Sequence, residues 1–233
     1  MPPNRFRSAA APVLALACAL AAGAAQAVCS SETGPQPTAL LERFVSADCD
    51  SCWSDPATPK ATGRELAIDW IVPGTRGDDA PLAKGETREA LARLEALRRP
   101  VPARTDAVRT RAEPSPQRMR LAQGEPLNDY IGTSIELRPG AAGPVWLLLV
   151  EELPAGTEGS PVARNLVRNV FRPSWDFKRP LTRAEQVKLY EARSMQIPDG
   201  THRERLRLVA VAEDARGHIK AISRTQCEPE GTR

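Results

Sequence analysis

The hydrophobic and polar positions in the first third of the chain predict two strands. Residues 38–46 alternate imperfectly between apolar and polar side chains, which predicts a strand that leads to a pair of cysteines. Residues 66–72 predict a second strand. Because Pro56 and Pro59 lie between the two strands, we expect no long helix there. A short helical turn at the cysteines and another over 60–66 are expected instead.

Two helices are predicted further along the chain, with a polar segment after the first. The helix over 87–99 has apolar residues at helical spacing. These residues are Ala90, Leu91, Leu94 and Leu97. Residues 101–128 are polar without a clear period and predict a linker. The helix over 181–192 begins with Thr182 as N-cap, and Glu185 completes a capping box.

From about residue 129 the pattern becomes that of β-structure. Alternation over 131–138 and 165–172 predicts strands with one buried face. The run 145–150 is apolar on both faces, as in a buried central strand. Residues 205–212 and 218–224 predict a hairpin. The second half of the chain is therefore expected to be rich in strands.

The first 27 residues have the three-part layout of a secretory signal peptide. Arg5 and Arg7 are basic, an apolar stretch covers about 9–21, and Ala25-Gln26-Ala27 is a cleavage site. No later apolar run is long enough to cross a bilayer. We therefore expect a soluble mature protein, periplasmic or secreted, with no transmembrane anchor after cleavage.

Size and charge narrow the range of functions. The mature chain of about 206 residues allows one large or two small domains, which we place at 28–125 and 126–233. Signal removal takes away two arginines and no acid, so the formal net charge falls from +3 to +1. A nearly neutral chain with few aromatic residues gives no argument for nucleic acid as a partner.

The mature chain keeps four cysteines, an even number that indicates two disulfides in an oxidising compartment. Four cysteines allow three pairings. We favour Cys49–Cys52 because this pair is local in sequence, and it leaves Cys29–Cys227. The second disulfide would bring the N-terminal segment beside the last strand.

The Cys49-x-x-Cys52 motif is the candidate for chemistry. In thiol–disulfide exchange Cys49 would attack as a thiolate and Cys52 would resolve the mixed disulfide. A structural disulfide or half of a metal site fits the same spacing. Asp48 and Asp50 flank the attacking sulfur and would disfavour its thiolate if they point toward it.

Other chemistry has little support in the sequence. The two histidines, His202 and His218, lie far from the cysteines, so we expect both to be ordinary surface or edge-strand residues. Their position argues against a zinc site and against Ser-His-Asp catalysis. We expect no metal and no cofactor.

Residues 41–52 resemble the strand-and-cysteine motif of an uncharacterised family of secreted bacterial thioredoxin-like proteins. That family has E-L-F-T-S, then C-S-S-C and two prolines. The matching positions are Glu42, Phe44, Ser46, Cys49, Ser51 and Cys52. Residues 146–150 and 165–168 resemble the family's C-terminal β domain, and Arg164 stands where the family usually has histidine.

The resemblance implies an α+β fold. Its N-terminal half would be thioredoxin-like but degenerate, because a polar segment follows Pro102, the candidate for the family's proline opposite the cysteines. Its C-terminal half would resemble an antiparallel β-sandwich.

Two functions are then expected. The first is a non-catalytic envelope or partner-binding protein with a structural Cys49–Cys52 disulfide. The alternative is a thiol–disulfide oxidoreductase that acts on protein thiols or cell-envelope proteins through Cys49 and Cys52.

Overall fold

Two β-sheets make up most of the described chain. The computed structural model describes residues 29–32, 34–138, 143–175 and 179–227, and the predicted signal peptide lies outside them. The strands are β1 (Cys29–Ser30), β2 (Ala39–Ser46), β3 (Glu65–Val72), β4 (Thr105–Arg111), β5 (Arg118–Leu127), β6 (Tyr130–Arg138), β7 (Val145–Leu153), β8 (Arg164–Phe171), β9 (Leu189–Gln196), β10 (Leu206–Glu213), β11 (Ile219–Arg224) and β12 (Gln226–Cys227). The α-helices are α1 (Asp50–Trp53), α2 (Glu89–Ala96) and α3 (Arg183–Val187).

The larger sheet has seven strands in the order β11-β10-β7-β8-β3-β2-β4, and the smaller has five in the order β12-β1-β5-β6-β9. β2 and β3 pair in parallel along their full length. β3 and β8 are also parallel, but they pair at a single position, Asp69 opposite Leu166. The remaining pairs are antiparallel. The larger sheet is therefore loosely joined at its centre, between β3 and β8.

Apolar residues cover both faces of the larger sheet. In β7, Trp146, Leu148 and Val150 pack into a core with α2 on one face. On the other face, Leu147 and Leu149 pack against the smaller sheet. β7 is buried over nearly its whole length, so the prediction of a central buried strand is confirmed. A third apolar cluster surrounds Cys49 and Cys52.

The expected α+β fold with a thioredoxin-like N-terminal half is wrong. Two large sheets dominate the described chain, and the longest described α-helix, α2, has eight residues. The expected helix over 60–66 is absent. The segment predicted to be a linker contains β4 and β5 instead, because antiparallel strands tolerate polar residues on a face that meets solvent. In β4, exposed and half-buried residues alternate along the whole strand.

The predicted helix over 181–192 ends early. The Thr182–Glu185 capping box is present and begins α3. The helix stops at Val187, and the chain continues as β9 with Leu189 and Met195 buried in the core. Burial of these two side chains against the larger sheet outweighs local helix preference.

The predicted domain boundary near residue 125 lies inside β5. The larger sheet contains β2, β3 and β4 from one side of this position and β7, β8, β10 and β11 from the other. Separate folding of 28–125 and 126–233 stays a prediction.

Candidate functional site

The Cys49–Cys52 disulfide forms where β2 leads into α1. Ala47, which follows β2, is fixed from two sides. Its N–H donates to the Val72 carbonyl over 2.9 Å, and its carbonyl accepts from the Leu82 N–H over 3.1 Å. Cys49 is the N-cap residue of α1. The disulfide is therefore anchored to β3 and to the segment that follows it.

Both cysteines of this pair are buried. Cys49 is 8% exposed and Cys52 is 4% exposed. They share an apolar cluster whose other buried members are Val45, Ala47, Trp53, Ile71, Ala80, Leu153 and Leu166. Apolar surroundings disfavour a thiolate.

The carboxylate of Asp48 is engaged by the turn after β3. It accepts hydrogen bonds from the Thr75 N–H (2.7 Å), the Thr75 hydroxyl (2.9 Å) and the Arg76 N–H (3.2 Å). These bonds, led by the Thr75 N–H, hold the pKa of Asp48 below its ordinary value of 3.8. A Cβ at Gly74 would lie 2.3 Å from Asp48 Oδ1, so this position requires glycine. Asp50 is exposed. The predicted weak nucleophilicity of Cys49 stays a prediction.

Arg104 approaches Cys49 through Ser51. Its Nη2 lies 3.5 Å from Ser51 Oγ, and that oxygen lies 3.7 Å from Cys49 Sγ. The contact between Arg104 and Ser51 is long for a hydrogen bond. Arg104 is exposed, so its influence on Cys49 is screened by solvent.

Arg164 contacts α1 from the side of β3 and β8. Its guanidinium lies 4.1 Å from the centre of the Trp53 ring and donates to the Trp53 carbonyl over 2.7 Å. It also donates to Ser160 Oγ (2.7 Å) and Asp69 Oδ1 (2.8 Å). Burial lowers the pKa of Arg164, and Asp69 opposes this shift. These contacts connect the cysteine helix to β3 and β8.

Arg43 is a second buried cation on the same carboxylate. Its Nη2 donates to Asp69 Oδ2 over 2.6 Å, and its Nη1 donates to the Pro59 carbonyl over 2.8 Å. Its Nε is buried and finds no acceptor within the part of the chain that the structure describes. We call Arg43, Asp69 and Arg164 the positive cluster, because two cations share one carboxylate.

A cleft of about 590 Å³ opens beside the positive cluster, where β3 and β8 diverge. The Asn165 amide spans the divergence by donating to the Ala67 carbonyl over 2.7 Å. We call this space the cation-lined cleft. Its charged lining residues are Arg43, Lys60, Glu65, Glu152, Arg164 and Arg224.

A smaller depression of about 280 Å³ lies on the other side of Arg43, next to Cys52. Phe44, Thr58 and Thr105 also line it. This depression brings solvent-accessible space close to the resolving cysteine of the proposed exchange.

Cys29 and Cys227 form the second disulfide, with their Cα atoms 4.0 Å apart. They lie opposite each other where β1 pairs with β12, at one edge of the smaller sheet. The N-terminal segment thus lies beside the last strand.

The two histidines lie on the surface, each beside carboxylates. His202 is within 3.5 Å of Glu158 and Glu204. His218 forms an exposed group with Glu113 and Asp214 that could hold a metal ion by geometry. The Lys220 ammonium already pairs with both of those carboxylates, so this group has its cation.

Sequence reasoning did not find the positive cluster or the cleft. The available signal was a charge inside each of two apolar strands, Arg43 in β2 and Asp69 in β3. The alternation of β2 was imperfect because Glu42 and Arg43 are both buried, on opposite faces. Buried charges of opposite sign on neighbouring strands indicate an ion pair.

Comparison with known proteins finds no matching family model, no matching curated protein and no matching solved structure.

Proposed function

We propose that the mature chain is an exported, non-catalytic binding protein in which Cys49–Cys52 is a structural disulfide. The observation that carries this proposal is the burial of both cysteines in an apolar cluster. A catalytic cysteine pair needs an accessible thiolate in electropositive surroundings. Here the Asp48 carboxylate is held by the turn after β3, and Arg104 approaches Cys49 only through Ser51.

Export is part of the proposal. The predicted signal peptide over 1–27 and the two disulfides both fit an oxidising compartment, which is the periplasm or the exterior. None of the described helices has the length and apolar character needed to cross a membrane. We further propose membership in the uncharacterised family of secreted bacterial proteins that residues 41–52 resemble.

Thiol–disulfide exchange is the second candidate function. It is favoured by the 280 Å³ depression beside Cys52 and by the place of Cys49 as N-cap of α1. A helix N-terminus stabilises a thiolate, but α1 has only four residues, so the effect is small. Protein thiols or cell-envelope proteins would be its substrates.

A redox titration of the purified mature protein separates the two functions. Alkylation and mass spectrometry would report the Cys49–Cys52 midpoint against a thiol buffer series, with Cys29–Cys227 as the internal control. A structural disulfide predicts a midpoint below about −300 mV, whereas a value of about −270 to −120 mV would establish exchange chemistry.

The Cys49→Ser, Cys52→Ser double variant provides a second readout. The structural proposal predicts a lower melting temperature than the wild type, because the disulfide joins α1 to its core cluster. Unchanged melting together with lost exchange activity would support the oxidoreductase instead.

A further inference from the structure

The cation-lined cleft has an excess of positive charge on one wall. The positive cluster carries two guanidinium groups and one carboxylate, and all three residues are at most 3% exposed. Lys60 adds an exposed ammonium at the rim. A buried cation without its own counter-charge is costly, so a bound anion would be stabilised there.

The opposite wall repeats this imbalance. Glu152 accepts from Arg224 and lies 3.2 Å from the Nε of Arg207, so two cations again share one carboxylate. The other acidic lining residue, Glu65, is paired with Arg109 over 3.2 Å. The carboxylates of the cleft are thus compensated, and positive charge remains on both walls.

Two N–H donors of residues that line this cleft have no acceptor within the described residues. They are the buried Nε groups of Arg43 and Arg224. A buried donor without a partner costs about 1–3 kcal/mol. Both belong to guanidinium groups, whose geometry suits a carboxylate.

The remaining lining is largely apolar. Leu66, Leu153, Pro154, Pro161 and Val162 contribute to it. The volume of about 590 Å³ lies within the range of small-molecule sites, in which apolar walls bind the body of a ligand and a few polar groups orient it.

We propose that the cation-lined cleft binds a small organic carboxylate, with its apolar body against Leu66 and Leu153 and its carboxylate toward Arg43 and Arg224. This inference rests on the proposed binding function and names the ligand class. A phosphate-rich ligand fits less well, because it would leave the apolar walls uncovered.

Isothermal titration calorimetry of the mature protein tests the inference with three probes. These are 4-phenylbutyrate, its neutral analogue 4-phenylbutyramide, and inorganic phosphate. We expect saturable binding of the carboxylate and at least about tenfold weaker binding of the amide, a difference of about 1.4 kcal/mol. Equal binding of the amide, stronger binding of phosphate, or no saturable carboxylate binding at millimolar concentrations would overturn the proposal.

Charge-removing variants locate the site. Lys60→Gln and Arg224→Gln should each weaken carboxylate binding by about tenfold. The matched control is Arg216→Gln, an exposed arginine in the β10–β11 turn at the other end of β11, and it should leave binding unchanged. An equal effect of Arg216→Gln would contradict the site. Because Lys60 is exposed, its variant reports on binding even if Arg224→Gln fails to fold.

The Cys49→Ser, Cys52→Ser variant separates this inference from the proposed function. Its carboxylate binding should match that of the wild type, because neither cysteine lines the cleft. If the cysteines prove redox-active and the carboxylate still binds, the non-catalytic proposal fails and the cleft assignment stands. If the cysteines are inert and nothing binds, only the cleft assignment fails.

Discussion

Two buried ion clusters lie on opposite faces of β2, and they differ in how completely their charges are paired. The positive cluster starts from Arg43. The neighbouring residue, Glu42, starts a cluster with Arg93 and Glu213 that we call the negative cluster. In it Arg93 donates to both oxygens of Glu42, over 2.8 Å each, and to Glu213 Oε1 over 2.6 Å. All three residues are buried.

Two indole N–H groups complete the hydrogen bonding of the carboxylates in the negative cluster. The Trp70 indole N–H donates to Glu42 and the Trp146 indole N–H donates to Glu213, both over 3.2 Å. Burial opposes the charge on Arg93, but attraction to Glu42 and Glu213 prevails and raises the pKa of Arg93. The excess negative charge is thus spread over hydrogen bonds inside the core.

The hydrogen bonding of the positive cluster is not complete in this way. It leaves the Arg43 Nε without an acceptor in the described chain and borders the cation-lined cleft. Buried charges on one face of β2 are thus paired within the core, whereas those on the other face border the cleft that we propose as a ligand site.

The largest effect is expected from Arg93→Met. This change removes the cation of the negative cluster and leaves two buried carboxylates without their common partner. We expect a loss of about 3–5 kcal/mol in the free energy of unfolding, measured by urea denaturation. A loss below about 1 kcal/mol would contradict the structural role of the cluster.

The matched control is Arg99→Met. Arg99 also makes a two-bond contact to a carboxylate, that of Asp106, but its side chain is 42% exposed. Exposed pairs contribute about 0–1 kcal/mol, so this variant should lie close to the wild type.

Arg43→Met should cost less than Arg93→Met. Asp69 would keep its bond to Arg164 (2.8 Å) and to the Asn165 N–H (3.0 Å), so no buried carboxylate is left alone. We expect a loss of about 1–3 kcal/mol in the same urea assay. If Arg43→Met and Arg93→Met prove equally costly, the second cation of the positive cluster is not in excess, and the distinction between the clusters fails.

Both clusters show why the site was only partly predictable from the sequence. The strands containing Glu42, Arg43 and Asp69 were predicted from their apolar neighbours. In the negative cluster, Arg93 and Glu213 follow Glu42 by 51 and 171 residues. In the positive cluster, Arg164 follows Asp69 by 95 residues and Arg43 by 121. Pattern along the chain carries no information about such distant pairing.

The fold was predictable where one face of an element is strongly apolar. β2, β3, β6, β7, β8 and the β10–β11 hairpin all formed close to their predicted positions. The polar edge strand β4, and the change from helix to strand after Val187 that gives β9, were not predictable in this way, because tertiary pairing decides their state. The prediction of the whole-chain architecture was wrong for this reason.

Ligand protection should distinguish the clusters by the sign of the ligand's charge. At about ten times its dissociation constant, 4-phenylbutyrate should raise the free energy of unfolding by about 1.4 kcal/mol. The cation 4-phenylbutylammonium should give no stabilisation, because Trp70, Trp146 and the core enclose the negative cluster. Stabilisation by the cation would mean that the negative cluster is also open to ligands. Thermal denaturation with each compound measures both effects.

The smallest effect is expected at Asp48, which adds a third case to the comparison: a half-buried carboxylate held by three hydrogen bonds. Because folding lowers the pKa of Asp48 from its ordinary 3.8, its contribution to stability is present above that value. The contribution is lost as the pH falls through the lower pKa of the folded state. Asp48→Asn should therefore lower the melting temperature near neutral pH, and its difference from the wild type should shrink in acid.

Thr75→Val, which removes only the hydroxyl donor, should give a smaller difference with the same trend. A difference that stays constant from neutral pH into acid would show that the turn is held by the shape of the side chain rather than by its charge.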